Sequence, residues 1–215
     1  MCAETRRSLA RLYPIVDVDL CARASRAPAD VARAFLAGGA RWIQLRAKAI
    51  GSGAFLDLAN AILQDTTVAG GTLIINDRAD IAALSGAPGL HVGQEDLAPA
   101  EARTVIGIEA IVGLSTHTQE QWHRAVTEPI SYIAIGPVFG TGTKDTGYQA
   151  IGLQTVRRAS EAAARQGLPT VAIGGITLEN AASVIEAGAA SVAVIGDLLE
   201  GDPEARCRSF VQALR

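Results

Sequence analysis

Short β-rich apolar runs alternate with longer amphipathic, alanine-rich stretches along the 215 residues, with glycine-bearing loops between them. Repeated strand and helix signals predict an α/β fold with a parallel sheet, and eight such units in this length match the small end of a closed (β/α)8 TIM barrel. An open doubly wound sheet is the runner-up. Against it, no GxGxxG follows the first strand, and polar residues are spread over all the strand ends rather than gathered at one switch point.

Taken in order, strands are expected at 12–16, 42–45, 73–75, 90–92, 111–114, 132–135, 170–173 and 192–195, each a short run rich in apolar residues. Small-residue segments such as Ala-Gly-Gly-Ala, Ala-Gly-Gly, Gly-Ala-Pro and Ala-Gly-Ala-Ala precede several of them. Helical patterns are expected at 29–37, 55–63, 98–105, 119–126, 153–166 and 178–187, and a last one at 203–214 closes the chain. No interdomain linker or low-complexity segment interrupts the pattern, so residues 1–215 are expected to form one domain. Residues 1–11 are expected to be a flexible or helical extension. Arg6 and Arg7 precede a short apolar stretch that Arg11, Pro14 and Asp17 break too early for an export signal.

The chain is 49% apolar, enough to bury a full core, and no run reaches transmembrane length. A net charge of −3 offers no basic footprint for nucleic acid or an anionic membrane, so any anion bound here must be held locally. Cys2, Cys21 and Cys207 are odd in number and lack metal-ligand spacing, which fits a reducing, cytoplasmic setting.

Seventeen arginines and only two lysines, Lys48 and Lys144, make up the nineteen cations, and both lysines sit just past apolar strand-like runs. A compact ammonium suits phosphate or Schiff-base chemistry where a planar guanidinium fits badly. The strand ends as a set carry Asp17 and Asp19; Gln44, Arg46 and Lys48; Asn76 and Asp77; Gln94 and Asp96; Ser115 and His117; Thr141, Thr143 and Lys144; Gly174 and Gly175; and Gly196. In a barrel these ends converge on one mouth, where such folds carry their chemistry.

Within residues 44–48 the period of two puts Gln44, Arg46 and Lys48 on one face and Leu45 on the other. Two cations beside an amide suit a diphosphate joined to a hydrogen-bonding ring, while a structural ion pair inside the barrel is the competing reading for Arg46. Asp77 and Asp96 end consecutive units and are placed to share one hard cation such as Mg2+; each alone also reads as a helix N-cap. Of the histidines, His117 is expected to line the mouth, and His91 and His123 are expected to be structural. The glycines after the seventh and eighth strands fall at the usual phosphate station of these barrels. The loop 140–149 is the lid candidate.

Taken together, Gln44-Leu45-Arg46-Ala47-Lys48, Ile75-Asn76-Asp77-Arg78, His91-Val92-Gly93-Gln94-Glu95-Asp96, Gly113-Leu114-Ser115-Thr116-His117, Gly136–Phe139 with Thr141-Gly142-Thr143-Lys144, and Ala172-Ile173-Gly174-Gly175-Ile176 resemble thiamine-phosphate synthases. The resemblance implies condensation of a hydroxymethylpyrimidine diphosphate with a thiazole phosphate, giving thiamine phosphate and pyrophosphate with Mg2+. It implies that Gln44, Arg46, Lys48, Asn76, Ser115 and Lys144 bind the pyrimidine diphosphate and that Asp77 and Asp96 hold the metal. Thr141, Gly142, Thr143, Gly174, Gly175, Ile195 and Gly196 would bind the thiazole phosphate. Lys48, Lys144, Ser115 and Arg46 are then the groups expected to act in catalysis, through a dissociative step that stabilises the leaving pyrophosphate. Family members commonly carry a serine and a small residue where this chain reads Gly196-Asp197, and a carboxylate there would repel a phosphate. The rival readings are a thiazole tautomerase, which tends to have a histidine at the position of Pro137, a Schiff-base aldolase, and a phosphate-binding protein without turnover.

Overall fold

The computed structural model describes residues 9–140 and 147–215. Eight parallel strands close into a barrel in chain order: β1 (Leu12–Asp17), β2 (Trp42–Arg46), β3 (Thr72–Asn76), β4 (Gly89–Val92), β5 (Ile111–Thr116), β6 (Tyr132–Ile135), β7 (Thr170–Ile173) and β8 (Ser191–Val194), with β8 paired back onto β1. Around them lie α1 (Val18–Arg23), α2 (Pro28–Ala37), α3 (Ser52–Val68), α4 (Ala79–Ser85), α5 (Pro99–Ile106), α6 (Gln119–Ala125), α7 (Gly152–Ala164), α8 (Ala181–Glu186) and α9 (Pro203–Ala213), and a 3-10 turn, Gly196–Leu199, follows β8.

Every expected strand is present and the doubly wound alternative is excluded by closure. Two short helices, α1 and α4, were not expected from the sequence pattern. The first is started by Asp17, whose Oδ1 accepts the Leu20 amide at 3.0 Å, and the second stops at Gly86, which takes the left-handed φ of 70°. The helix expected from residue 178 begins instead at Ala181. The preceding turn is closed by Thr177 N–H donating to Asn180 Oδ1 at 2.9 Å, while the Leu178 amide is drawn to Asp197 Oδ2 at 2.8 Å. Of the expected N-terminal extension, Leu9 and Ala10 lie outside any helix and pack against the barrel interior; residues 1–8 fall outside the described residues.

Alternation along each strand sorts the core into two layers. Leu45, Leu73, Ile75, Leu90, Val92, Val112, Ile133 and Val192 face outward and meet the helices. Tyr13, Ile15, Trp42, Ile74, Tyr132, Ala134, Val171 and Ala193 fill the interior. Three of these are large aromatics that meet edge to face, with centroids 5.8 Å apart for Tyr13 and Trp42, 6.0 Å for Tyr13 and Tyr132, and 6.1 Å for Trp42 and Tyr132. Room for the interior side chains comes from glycine. A Cβ on Gly113 would stand 2.0 Å from Tyr132 Cζ, and one on Gly89 would stand 2.2 Å from Ile74 Cδ1.

Gly113→Ala is therefore expected to destabilise the fold by about 1–3 kcal/mol, the usual penalty of overpacking a tight core. Urea unfolding monitored by Trp fluorescence measures it, and a midpoint equal to the parent's would show that Tyr132 yields at no cost.

Candidate active site

The C-terminal ends of β1 to β4 bring together the charged residues singled out in the sequence. On β2, Gln44 is buried inside the barrel and its Nε2 donates to the Tyr13 hydroxyl at 3.1 Å, whereas Leu45 belongs to the outer layer. The expected division of faces is thus realised for Gln44 and Leu45, but Arg46 and Lys48 do not point together. Arg46 pairs through Nη1 with Asp17 Oδ2, a carboxylate only 5% exposed that also caps α1 through its other oxygen. One side chain therefore ties the first βα turn to the guanidinium next door, and the ion-pair reading of Arg46 holds. Lys48, beyond the strand end and half-exposed, reaches the other way and contacts Asp77 Oδ2. The two cations are thus held by acids from the flanking strands, β1 and β3.

Asp77 carries the strongest local signature. Its φ is +62°, a left-handed conformation that few residues except Gly, Asn and Asp adopt readily, and its amide donates to His91 O at 2.7 Å. Such an outlier aims the carboxylate over the rim rather than along the strand. Its Oδ2 is buried and held in an ion pair with Lys48 Nζ. Burial raises the Asp77 carboxyl above its ordinary range; Lys48 opposes the shift, and the Asp96 carboxyl, within hydrogen-bonding reach, adds to it. Asp96 itself is exposed at the rim and accepts the Gly93 amide through Oδ2 at 2.7 Å. Neither aspartate caps a helix: the caps of α4 and α5 are Arg78 and Ala98. Two adjacent carboxylates, one with a buried oxygen whose charge partner is Lys48, have the donor character that a hard cation takes. Asn76, 9% exposed, lies on β3 beside them and pairs in register with His91.

Ser115, near the end of β5, is partly exposed, and its Oγ lies 2.8 Å from His91 Nε2. Gln94 crosses from the β4 loop to donate to Ser115 O at 2.6 Å. His117 does stand at this end of β5, where its Nδ1 hydrogen-bonds Gly136 O at 2.7 Å and its ring stacks on Tyr148 at 4.2 Å.

Across the mouth, the loop after β6 packs on the β7 turn through Val138 N–H to Ile173 O at 2.9 Å and Phe139 N–H to Gly174 O at 3.0 Å. Gly174 and Gly175 have φ of +103° and +62°, and Cβ atoms there would lie 2.6 Å from Pro137 and 2.5 Å from Gly140 O, so only glycine fits. Their amide N–H groups, and that of Gly196, have no acceptor among the described residues. Ile195 packs against the interior cluster just before that turn. Thr141, Gly142, Thr143 and Lys144, with most of the lid candidate, lie outside the described residues.

Asp197, next to Gly196, does not stand as a free carboxylate. It is buried at 8% exposure and accepts from Arg206 Nε and Nη2 at 2.9 Å as well as from the Leu178 amide, so its charge is neutralised by α9. The carboxylate thereby joins the β8 turn to α9 and to the turn that precedes α8.

Sequence reasoning missed Tyr13, Tyr132 and the inward role of His91. The signal was present in the alternation of β4, where Gly89 and His91 share the inward parity, and in the tyrosines at the inward positions of β1 and β6.

A family model described as thiamine monophosphate synthase matches residues 12–198. A thiamine-phosphate synthase of Koribacter versatilis is 44% identical over 209 residues, covering 96% of both chains. One from Roseiflexus sp. (strain RS-1) is 43% identical over 196 residues, covering 91% of this chain and 82% of its own. Among solved structures, a thiamine phosphate pyrophosphorylase from Pyrococcus furiosus superimposes with a TM-score of 0.87 at 27% identity, over 98% of each chain.

Two outcomes are expected from the charges at this rim. A carboxyl whose pKa folding raises contributes stability at low pH that is lost as pH climbs through its folded value. Asp77→Asn, which keeps a residue tolerant of positive φ, should therefore melt above the parent at neutral pH without divalent cations, and the two should converge as the pH falls below about 4. Asp197→Ala should lower the urea midpoint by an amount equivalent to about 1–3 kcal/mol, since it strands Arg206 and the Leu178 amide; an unchanged midpoint would show the network to be dispensable.

Proposed function

The chain belongs to the thiamine-phosphate synthase family and is a transferase of that type, and from that premise we propose that it joins a hydroxymethylpyrimidine diphosphate to a thiazole phosphate, releasing pyrophosphate, with Mg2+ at Asp77 and Asp96. The observation that carries this reading is the buried Asp77 oxygen set between Lys48 and Asp96. An acid pair of this kind next to a lysine suits a diphosphate brought in with its counter-ion. When bound, Mg2+ would supply positive charge against the diphosphate oxygens.

The residues divide the remaining work. Gln44, Asn76 and Ser115 hold the pyrimidine through hydrogen bonds, and Arg46, kept rigid by Asp17, presents its remaining N–H groups to the diphosphate. Lys48 exchanges its contact with Asp77 for the leaving group and stabilises the charge that accumulates as the C–O bond breaks. Lys144 is assigned the same role toward the leaving oxygens. The electron pair leaves with pyrophosphate, and the thiazole nitrogen donates its lone pair to the methylene carbon, so no proton has to move and no general base is needed. The amides of Gly174, Gly175 and Gly196, with Ile195 beside them, together with Thr141, Gly142 and Thr143, hold the thiazole phosphate and set the nitrogen in line.

Purified protein given both substrates and Mg2+ should release thiamine phosphate and pyrophosphate in equal amounts, and EDTA should stop both. Lys48→Ala should lower turnover on the order of 10²-fold, the usual consequence of losing one electrostatic donor. Parent-like turnover in that variant would remove Lys48 from the mechanism. Conversion of a thiazole tautomer without condensation would assign the barrel to its sister activity.

A further inference from the structure

A chain of hydrogen bonds runs through the barrel interior from one substrate-facing group to another. Gln44 Nε2 donates to Tyr13 Oη at 3.1 Å; Tyr13 Oη and Tyr132 Oη are 3.0 Å apart; Tyr132 Oη and His91 Nδ1 are 2.9 Å apart; His91 Nε2 and Ser115 Oγ are 2.8 Å apart. These residues come from β2, β1, β6, β4 and β5, so no segment of sequence contains the arrangement. Tyr13 and Tyr132 are 1% exposed, His91 is 8% exposed, and the His91 ring stacks on Tyr132 with centroids 5.6 Å apart.

Proton counting assigns a direction. Each phenol has one proton and must use it, because a buried O–H without an acceptor is costly. Gln44 presents its N–H side to Tyr13, so the Tyr13 proton is free to go to Tyr132 and the Tyr132 proton to His91 Nδ1. With Nδ1 accepting, the neutral imidazole carries its proton on Nε2 and donates to Ser115 Oγ. If Nδ1 carried the proton instead, Tyr132 would donate to Tyr13, and Tyr13, already accepting from Gln44, would be left with an unused buried proton. Burial holds both phenols neutral by raising their pKa values well above the ordinary range, which keeps those protons in place.

We propose that His91 is a positioning residue that, anchored by Tyr132, holds Ser115 Oγ as an acceptor from beneath and so leaves the serine hydroxyl proton to donate to the substrate. The inference rests on the proposed synthase reading for the identity of that substrate, and it adds to it a polarity: Ser115 offers a donor, so it selects an acceptor atom, a ring nitrogen or a diphosphate oxygen. Because Gln44 stands at the other end, the hydrogen-bonding senses of two groups proposed to hold the pyrimidine diphosphate are set together.

The first measurement needs no turnover. Nitrogen NMR of the parent labelled at histidine should show His91 as the Nε2–H tautomer, and an Nδ1–H tautomer overturns the proposal. The second is a double-mutant cycle scored by kcat/KM for the pyrimidine diphosphate. His91→Leu should reduce it about 10- to 100-fold, the scale of a misplaced binding group. In a Ser115→Ala background the same change should have an effect of about two-fold or less. His91→Gln, whose Nε2 can replace the lost donor, should recover most of the activity, and Tyr132→Phe should lose activity because the imidazole loses its anchor. Thermal midpoints separate this from damage to the fold. Losses that multiply in the double variant, or parent-like kcat/KM in either folded His91→Leu or folded Tyr132→Phe, overturn the positioning role. Failure of the parent to make thiamine phosphate would instead count against the synthase reading, and the tautomer would still decide the relay.

Discussion

Closing eight parallel strands into a ring leaves an interior that must be filled, and in this chain the filling is done by three large aromatic side chains. Tyr13, Trp42 and Tyr132 meet edge to face at the centre, and Gly113 on β5 makes the space that Tyr132 occupies. Filling a barrel with tyrosine has a chemical consequence that filling it with leucine would not. Each buried hydroxyl must find a partner. Gln44 and His91 supply those partners, and because they sit one layer above the rings, the need for satisfaction in the core propagates upward to Ser115 at the rim.

The charged half of the mouth is organised by a second constraint, the pairing of every strongly held cation with an acid from a neighbouring strand. Arg46 is fixed on Asp17, which is buried and shared with the α1 cap, so the guanidinium is pre-set. Lys48 is half-exposed and leans on Asp77. In the proposed reaction the difference would suit different jobs, a rigid fork for recognition and a less constrained ammonium for charge that appears only as a bond breaks. After β8, Arg206 of α9 pairs with the buried Asp197 in the same manner.

Most of the fold and much of the site were legible because they depend on local periodicity. The eight strands, the opposite faces of Gln44 and Leu45 and the rim position of Asp77, Asp96 and Ser115 all follow from counting residues along alternating runs. The helices α1 and α4 were not, and the pairing of Asp197 with Arg206 was not either, because that partner lies nine residues away on another element.

By itself the sequence determined the class of fold, the family, and which residue types stand at the mouth, since strand parity and motif order are properties of the chain in one dimension. Tertiary structure alone decided which groups touch. Barrel closure places β1 against β8 and sets Tyr13 on Tyr132, 119 residues apart, and the strand-end geometry aims Asp77 at Lys48. The reason is physical: hydrogen bonds and ion pairs act over a few ångströms, and only the packed barrel brings residues from five different strands within that range.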